Sequence, residues 1–428
     1  MFTSDLIIIG SGPGGYRAAD YAARCGLSVT IIESKHAGGT CLNTGCIPTK
    51  ALAHDAKLHQ RSWTEAINRK NEVVSQLIKG VETLLSQKQI TVVHGQAKFK
   101  DVHTVVVNKA LYTARNIIIA TGSQPAIPPI EGAQSDTVIT SDQLLSLTEL
   151  PKSLCIIGAG VIGMEFASIL NRFRCKVTVI ESLKECLNTI DNDIAKRVRK
   201  QMERRGIEFY LSCNVKRITG NSIFFEDKKG AEQCVNAEKI LIATGRRPNL
   251  SGLDLEKTDI DFTPKGIVVN ENMQTTKPHI FAIGDCNGRQ LLAHAATFQG
   301  FRAVNVILGK TDQININIMP SAVFTEPETA CVGLTLQAAE EQGINAQEVK
   351  GFYRANGRAL AMEADEGMVK LVINENDLII GCHAYGTHAA DIVQEVTCLM
   401  NLSATRSQLS DIVHIHPTIS EVLQDLAR

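Results

Sequence analysis

Three groups of residues in this chain have the types and spacings that chemistry requires. The first is a pair of thiols, Cys41 and Cys46, in the run GGTCLNTGCIPTK from Gly38 to Lys50. Two cysteines five positions apart could help ligate a metal or could form a reversible disulphide. Zinc asks for four ligands, and no second close Cys/His pair accompanies these two; the next cysteine on the C-terminal side is Cys155. The pattern therefore favours a working dithiol over zinc. In an ideal helix, Cα atoms five apart lie about 8–9 Å from one another, whereas a disulphide wants less than about 7 Å. The segment cannot be regular helix throughout, and Gly45 with Pro48 supplies the interruption. A helix resuming through ALAHDAKLHQR would bring its positive N-terminus nearby and favour thiolate over thiol.

The second group is a pair of glycine-rich turns. LIIIGSGPGGYRAADYAARCGLSVTIIES (Leu6 to Ser34) and LCIIGAGVIGMEFASILNRFRCKVTVIES (Leu154 to Ser182) match in register. Each reads as a strand, Gly-X-Gly-X-X-Gly, a helix, a second strand and an acid. The acid stands 23 positions after the first glycine in both, Gly10 to Glu33 and Gly158 to Glu181. This is the dinucleotide-binding fingerprint, present twice. Gly10 and Gly158 permit the tight turn. Gly12 and Gly160 let the backbone approach a pyrophosphate seated on the helix N-terminus. Gly15 and Gly163 let helix and strand pack closely, and Glu33 and Glu181 can accept hydrogen bonds from ribose hydroxyls. Two bound dinucleotides follow. An acid at Glu181 repels a 2′-phosphate and favours NAD, while Lys184 in the following SLKECLN leaves NADP open.

The third group is His416 with Glu421, in HIHPTISE near the C-terminus. An imidazole titrates near working pH and can take a proton from a thiol. Glu421 reads either as the acid that orients this imidazole or as the third helical residue of a capping box whose N-cap is Thr418, and the two roles are compatible.

These groups need a scaffold to position them. A chain of 428 residues is long enough for two to four domains, and 44% hydrophobic residues can fill several cores. A formal net charge of -1 offers no basic surplus for nucleic acid or an anionic membrane surface. The longest apolar runs, such as Leu6–Ile9 and 117–120, are strand-length, so no membrane span is expected. The N-terminus runs straight into a strand without a basic leader, which reads as cytoplasmic, or as an organelle matrix if a presequence has been trimmed. In a reducing compartment most of the twelve cysteines, among them Cys155, Cys175, Cys213, Cys234, Cys331 and Cys398, should be small buried hydrophobes. NIIIATGS and KILIATGRRPN each end a strand in Ala-Thr-Gly before a proline-containing loop, marking crossings between domains. From about Met319 the pattern changes to strands mixed with amphipathic helices and no nucleotide turn, an α+β unit.

In order along the chain, GSGPGG, GGTCLNTGCIPTK, ATGS, GAGVIGMEFAS, ATGRRPN, IFAIGD, ANGRALAM and HIHPTISE resemble the class I pyridine nucleotide-disulphide oxidoreductases. CIPTK is similar to the lipoamide branch of that family. The resemblance implies an α/β fold with two Rossmann-like dinucleotide-binding domains, for FAD and NAD, and a C-terminal α+β dimerisation domain. The expected division is 1–141 and 250–316 for the FAD-binding and central parts, 142–249 for NAD, and 317–428 for the interface. It implies that Cys41 and Cys46 form a redox disulphide against the flavin, Cys41 exchanging with substrate and Cys46 passing electrons inward. His416 would be the base, with Glu421 its partner, and His414 would be structural. Asp285 resembles the acid that binds the flavin ribitol, and Lys50 with Glu165 the pair beside the flavin N5 and the nicotinamide. On their own, Lys50 reads as an ordinary solvated lysine and Glu165 as a helix-surface acid. Gly14, Thr40, Thr121, Gly122 and Gly245 join the cofactor-binding set by the same resemblance. The chain is short for the family, with trimming expected after Lys50 and at the C-terminus.

The implied activity is oxidation of protein-bound dihydrolipoyl groups with NAD through FAD. The implied partners are a second copy of the chain, whose base completes each site, and a lipoyl domain or lipoyl carrier protein of a 2-oxoacid dehydrogenase or glycine cleavage complex. No metal, nucleic acid or membrane is implied. Glu181 disfavours a glutathione reductase, and the lack of a terminal cysteine pair disfavours a mercuric reductase. The rival readings are another NAD(P)H-dependent disulphide reductase of the family and a largely non-catalytic assembly subunit of a multienzyme complex.

Overall fold

The computed structural model describes residues 2–428. Its first sheet is parallel in the order Ile90–His94, Val29–Glu33, Ser4–Ile9, Ala110–Ile119, with Ile280–Ala282 added beyond Ala110–Ile119. Leu6 to Ile9 lie opposite Val29 to Ile32 on one side and Asn116 to Ile119 on the other. Both faces of this sheet are covered, which is why the strand is a continuous apolar run rather than an alternation. Leu6, Ile7 and Ile8 are fully buried, each contributing about 2 kcal/mol of hydrophobic stabilisation. The strand Ile280–Ala282 arrives after the whole second unit has been built, so the chain leaves the first unit and returns to complete it.

The second sheet repeats the plan. Glu208–Leu211, Lys176–Glu181, Ser153–Ile157, Lys239–Ile242 and Val138–Ile139 run parallel in that order. Val138–Ile139 belongs to this sheet, so the second unit begins ahead of the boundary expected at 142. Between the two units, Ser123–Pro125 and Arg246–Pro248 form a two-stranded antiparallel ribbon. Each follows an Ala-Thr-Gly turn whose glycine, Gly122 (φ 69°) or Gly245 (φ 116°), takes a conformation that L side chains resist.

The sheet of the C-terminal unit is antiparallel, ordered Ser321–Val323, Thr329–Gly333, Ile379–Tyr385, Met368–Asn374, Ala346–Phe352. The helices Ala389–Asn401 and Glu421–Ala427 close over it, burying Ile392, Val393, Val396, Val422 and Leu423 with Val369, Leu371 and Ile373. Two Rossmann-like units and a C-terminal α+β unit are thus the architecture expected from the motifs. No described helix is long and apolar enough to cross a membrane.

Candidate active site

Cys41 and Cys46 sit on two consecutive helices, Gly39–Thr44 and Cys46–Leu58, separated by Gly45 alone. Gly45 takes φ −141° and ψ −118°, and this single non-helical residue makes the break. Pro48 does not interrupt anything; it occupies the first turn of the second helix, where its missing N–H costs nothing. The second helix therefore starts at Cys46 rather than at Ala51, and it ends at Leu58, short of the expected Arg61. Cys46 is its first residue, in the positive end of the backbone dipole. Both thiols are free and half-buried. A hydrogen bond from Cys41 lowers the Cys46 thiol to about 7, helped by the Lys50 ammonium and opposed by burial. The same hydrogen bond, with burial, raises Cys41. The reduced pair is polarised: Cys46 carries the negative charge and Cys41 holds the proton.

The cysteine helices are docked on the first glycine turn. Gly38 N–H donates to the Ser11 carbonyl at 3.0 Å. A Cβ on Gly39 would stand 2.7 Å from the Gly12 Cα, so nothing larger than glycine lets the two loops touch. Thr40, one residue on, is exposed.

The two fingerprints prove alike atom by atom. Gly10 and Gly158 have φ of 106° and 105°. A Cβ on Gly15 would lie 1.9 Å from the Gly10 carbonyl oxygen, and one on Gly163 2.0 Å from that of Gly158, which accounts for both glycines as helix–strand spacers. Around Gly12 and Gly160 the space a Cβ would enter is open, as a cradle for a ligand requires. Gly14 differs: its Cβ would meet the Ala296 carbonyl at 2.9 Å, so it serves packing against the helix Ala293–Ile307. Glu33 accepts from the Ser11 N–H (2.8 Å), the Ser11 hydroxyl (2.7 Å) and the Lys35 N–H (2.7 Å). Glu181 accepts from the Ala159 N–H (2.6 Å), the Leu183 N–H (2.8 Å) and the Ser182 hydroxyl (3.1 Å). Each acid thus braces its own glycine turn as well as facing the cradle, a role the spacing alone did not reveal. Lys184 is exposed.

Lys50 and Glu165 overturn their bland readings. Glu165 is 4% exposed and holds Lys50 Nζ at 2.9 and 2.8 Å through both carboxylate oxygens. It also accepts from the Phe324 N–H at 2.9 Å, and the Phe324 ring lies 5.0 Å from Nζ. This cluster joins the cysteine helix, the helix Val161–Arg172 of the second unit and the C-terminal unit. Asp285 accepts a hydrogen bond from the Ser123 hydroxyl. The Thr121 hydroxyl oxygen is buried without a hydrogen-bond partner. An orphaned buried hydroxyl beside Gly122, with an open cradle at Gly12, fits a polar cofactor lying along the carboxyl ends of the first sheet. Gly245 has open space around its Cα in the second unit.

At the C-terminus, His416 Nδ1 lies 2.9 Å from Glu421 Oε1, and the other carboxylate oxygen accepts from the Thr418 N–H at 2.9 Å. The helix begins at Glu421 with Ser420 as N-cap, so Thr418 is not the N-cap, and its hydroxyl donates back to Ile415 instead. Both readings of Glu421 keep a part: it bonds backbone and imidazole together. The Thr418 N–H and then His416 hold its carboxyl below the usual range. The His416 side chain is 82% exposed, and the helix Glu421–Ala427 that follows it packs on the strands Ala346–Phe352 and Met368–Asn374. His414 is nearly buried, bonded to Glu395 at 3.0 Å. Cys155, Cys175, Cys213 and Cys331 are buried, whereas Cys234 and Cys398 are exposed, against expectation. No cluster of His, Cys, Asp and Glu able to hold a metal exists among the described residues.

An open parallel sheet with a dinucleotide cradle, repeated once, and a polarised dithiol laid across the first cradle define a flavoprotein disulphide oxidoreductase. The chain belongs to the pyridine nucleotide-disulphide oxidoreductase family: that family's model matches residues 4–300, and its dimerisation domain matches 319–427. The family works with FAD and NAD, and both cradles are present. Dihydrolipoyl dehydrogenase of Bacillus subtilis (strain 168) is 35% identical over 98% of this chain and 97% of its own length. That of Thermus scotoductus is 37% identical over 100% and 97%. Among solved structures, the Cu(II) complex of the HOCl-induced flavoprotein disulfide reductase RclA from Escherichia coli is similar, with TM-score 0.92 and 32% identity, covering 100% of this chain and 99% of that one.

Proposed function

We propose that this protein is an NAD-dependent dihydrolipoyl dehydrogenase, oxidising protein-bound dihydrolipoyl groups. The observation that carries the reading is the placement of the dithiol, Cys41 and Cys46 on consecutive helices broken at Gly45 and docked through Gly39 on Gly12, with the Cys46 thiol lowered and the Cys41 thiol raised. The flavin, when bound, supplies electron transfer between the dithiol and the nicotinamide. In the oxidised pair, His416 takes the proton of one substrate thiol and the thiolate attacks Cys41 Sγ. The Cys41–Cys46 bond breaks, a substrate–Cys41 bond forms, and Cys46 leaves as the thiolate. The second substrate thiol then attacks the substrate sulfur of that bond, closing the lipoyl ring and releasing Cys41, which takes this thiol's proton while the first proton stays on His416. Two electrons have moved from substrate to protein. Cys41 ends protonated and Cys46 charged, which is the distribution found here. Glu421 holds the imidazole and stabilises its protonated form.

The exposed His416, carried by the C-terminal unit that matches the family's dimerisation domain, supports a site completed by a second copy of the chain. Gly10, Gly12, Gly15, Glu33, Thr40, Thr121, Gly122 and Asp285 are assigned to FAD, with Gly14 as a packing residue. Gly158, Gly160, Gly163, Glu181 and Gly245 are assigned to NAD. The partner of choice is a lipoyl domain of a 2-oxoacid dehydrogenase or glycine cleavage complex, and the setting the cytoplasm.

A second reading, an NAD(P)H-dependent reductase of another disulphide, has support from the similarity to RclA. Steady-state rates with dihydrolipoamide and NAD⁺, set against NADPH or NADH with glutathione disulphide, decide between them. Dihydrolipoamide turnover no faster than background, in protein that carries flavin, would sink the lipoyl assignment.

A further inference from the structure

Asp285 does not stand alone. The Ser123 hydroxyl donates to its Oδ2 at 2.5 Å. Arg246 Nε donates to that same hydroxyl oxygen at 2.7 Å, and Arg246 Nη2 donates to the Ser123 carbonyl at 2.9 Å. Ser123 is 8% exposed, so water does not compete freely for these bonds. Guanidinium is a donor only. The Ser123 oxygen must therefore accept from Arg246, and its single hydrogen is left to point at Asp285. A hydroxyl that would otherwise rotate is locked in one direction, and one carboxylate oxygen of Asp285 is committed as an acceptor. The other oxygen remains for a ligand.

The three residues come from three separate stretches. Ser123 and Arg246 lie on opposite strands of the ribbon Ser123–Pro125/Arg246–Pro248 that joins the two dinucleotide units, at its two ends in register, Arg246 facing Pro125 and Ser123 facing Pro248. Asp285 lies in the turn Gly284–Asn287 that follows the strand Ile280–Ala282. Four further polar contacts brace that turn: Gln299 Oε1 accepts from the Gly284 N–H at 2.7 Å and from Asn287 Nδ2 at 2.9 Å, Asn287 Nδ2 also donates to the Ala282 carbonyl at 3.1 Å, and Gly288 N–H donates to the Asp285 carbonyl at 3.1 Å. The turn is held at its backbone by Gln299 and at its carboxylate by Ser123.

We infer that Arg246 and Ser123 are positioning residues for the flavin: the relay Arg246→Ser123→Asp285 presets the Asp285 carboxylate for a ribitol hydroxyl and ties this setting to the ribbon that carries the NAD unit. The inference rests on the assignment of Asp285 to the flavin ribitol. Arginine rather than lysine is required, because the Nε and Nη2 donors span the hydroxyl and carbonyl of one residue together.

The test is FAD affinity of the deflavinated full-length protein, read by quenching of flavin fluorescence on rebinding, for Asp285→Asn, Ser123→Ala, Ser123→Thr, Arg246→Lys and the double variant Ser123→Ala/Asp285→Asn. Losing a hydrogen bond to a charged group should weaken FAD binding about tenfold in Ser123→Ala, with a similar loss in Arg246→Lys. Ser123→Thr keeps the hydroxyl and should bind as the parent does. In the double variant Ser123→Ala should add nothing to the loss caused by Asp285→Asn, since the relay acts only through that carboxylate. Parent affinity in Ser123→Ala while Asp285→Asn is weakened overturns the relay and leaves the Asp285 assignment standing. Additive losses in the double variant, or Ser123→Thr as weak as Ser123→Ala, likewise overturn it. Parent affinity in Asp285→Asn overturns the ribitol assignment itself, and the relay with it. If Arg246→Lys fails to fold, the three Ser123 variants carry the decision.

Discussion

Removing the Cys41 proton donor should move the titration of Cys46, and the direction follows from the order of its causes. The hydrogen bond from Cys41 is the largest influence lowering Cys46, Lys50 is second, and burial works against both. A hydrogen bond to a charged group is worth about 1.5–3 kcal/mol, and 1.36 kcal/mol corresponds to one pH unit. In Cys41→Ala the donor is gone while burial remains, so Cys46 should titrate about 1–2 pH units above its present value of about 7. In Cys41→Ser a hydroxyl still donates, and the midpoint should stay nearer 7. Thiolate is the form above the midpoint, so the alanine variant must be taken to more alkaline pH before Cys46 reacts.

The assay is the pH dependence of iodoacetamide alkylation at Cys46, located by peptide mass because exposed Cys234 and Cys398 also react. The midpoint is the informative quantity rather than the rate at a single pH. A thiol with a higher pKa is intrinsically more nucleophilic once ionised, which offsets part of the loss at pH 7. Coincident midpoints in Cys41→Ala and Cys41→Ser would refute the reasoning: the charge on Cys46 would then be set by Lys50 and the helix N-terminus alone.

Gly12→Ala should leave the stability of the deflavinated protein unchanged yet weaken FAD binding, because the space beside Gly12 is open until a ligand enters; Gly15→Ala, aimed at a carbonyl oxygen 1.9 Å away, should lower the melting temperature even without FAD. Equal melting losses in the two would undo this division of labour. Replacing Glu181 by alanine together with Lys184→Arg should shift kcat/KM from NAD⁺ toward NADP⁺; a parent enzyme already faster with NADP⁺ would contradict the role given to Glu181. Reassociating inactive Cys41→Ser chains with inactive His416→Gln chains should restore about a quarter of normal turnover, since half of randomly paired dimers are mixed and each has one intact site of two. Turnover that stays at the parental background, with exchange verified by native mass, rules out a shared site.

Much of this was legible in the sequence because the two dinucleotide turns repeat at fixed spacing, and a repeat constrains both copies. The twin roles of Gly10 and Gly158, and of Gly15 and Gly163, follow from backbone geometry that only glycine can satisfy, so residue type reveals them directly. Lys50 and Glu165 were opaque for the opposite reason. They are 115 positions apart, and nothing in a helix-borne glutamate announces that a lysine from another unit will neutralise it in a buried place. The helix at Cys41 was hidden too. GTCLNT has poor helix formers, and its six residues are held by the docking of Gly39 on Gly12 rather than by propensity. Ser11, Ser123, Arg246 and Phe324 escaped notice as site residues; Ser11 in GSGPGG, Ser123 in ATGS and Arg246 in ATGRRPN each lay inside a motif that could have pointed to it, and Phe324 did not.

What distinguishes the two cradles is therefore not their own construction, which is nearly identical, but what is laid against each. The first has the cysteine helices docked on Gly12 through Gly39, with Cys46 at a helix N-terminus. The second supplies Glu165 from the helix Val161–Arg172 that its own glycine turn begins. That carboxylate crosses to Lys50, four residues beyond Cys46 and one helical turn along, and to the Phe324 N–H. The charge that helps keep Cys46 ionised is thus itself held in place from the second unit. Glu165 therefore acts on Cys46 in two opposed ways: its own charge raises the thiol, while its grip holds the ammonium that lowers it. Glu165→Gln, which keeps the shape and removes a charge that raises the Cys46 thiol, should accordingly lower the Cys46 midpoint, opposite in direction to Cys41→Ala; a rise in Glu165→Gln would mean that holding Lys50 in place outweighs the repulsion between carboxylate and thiolate.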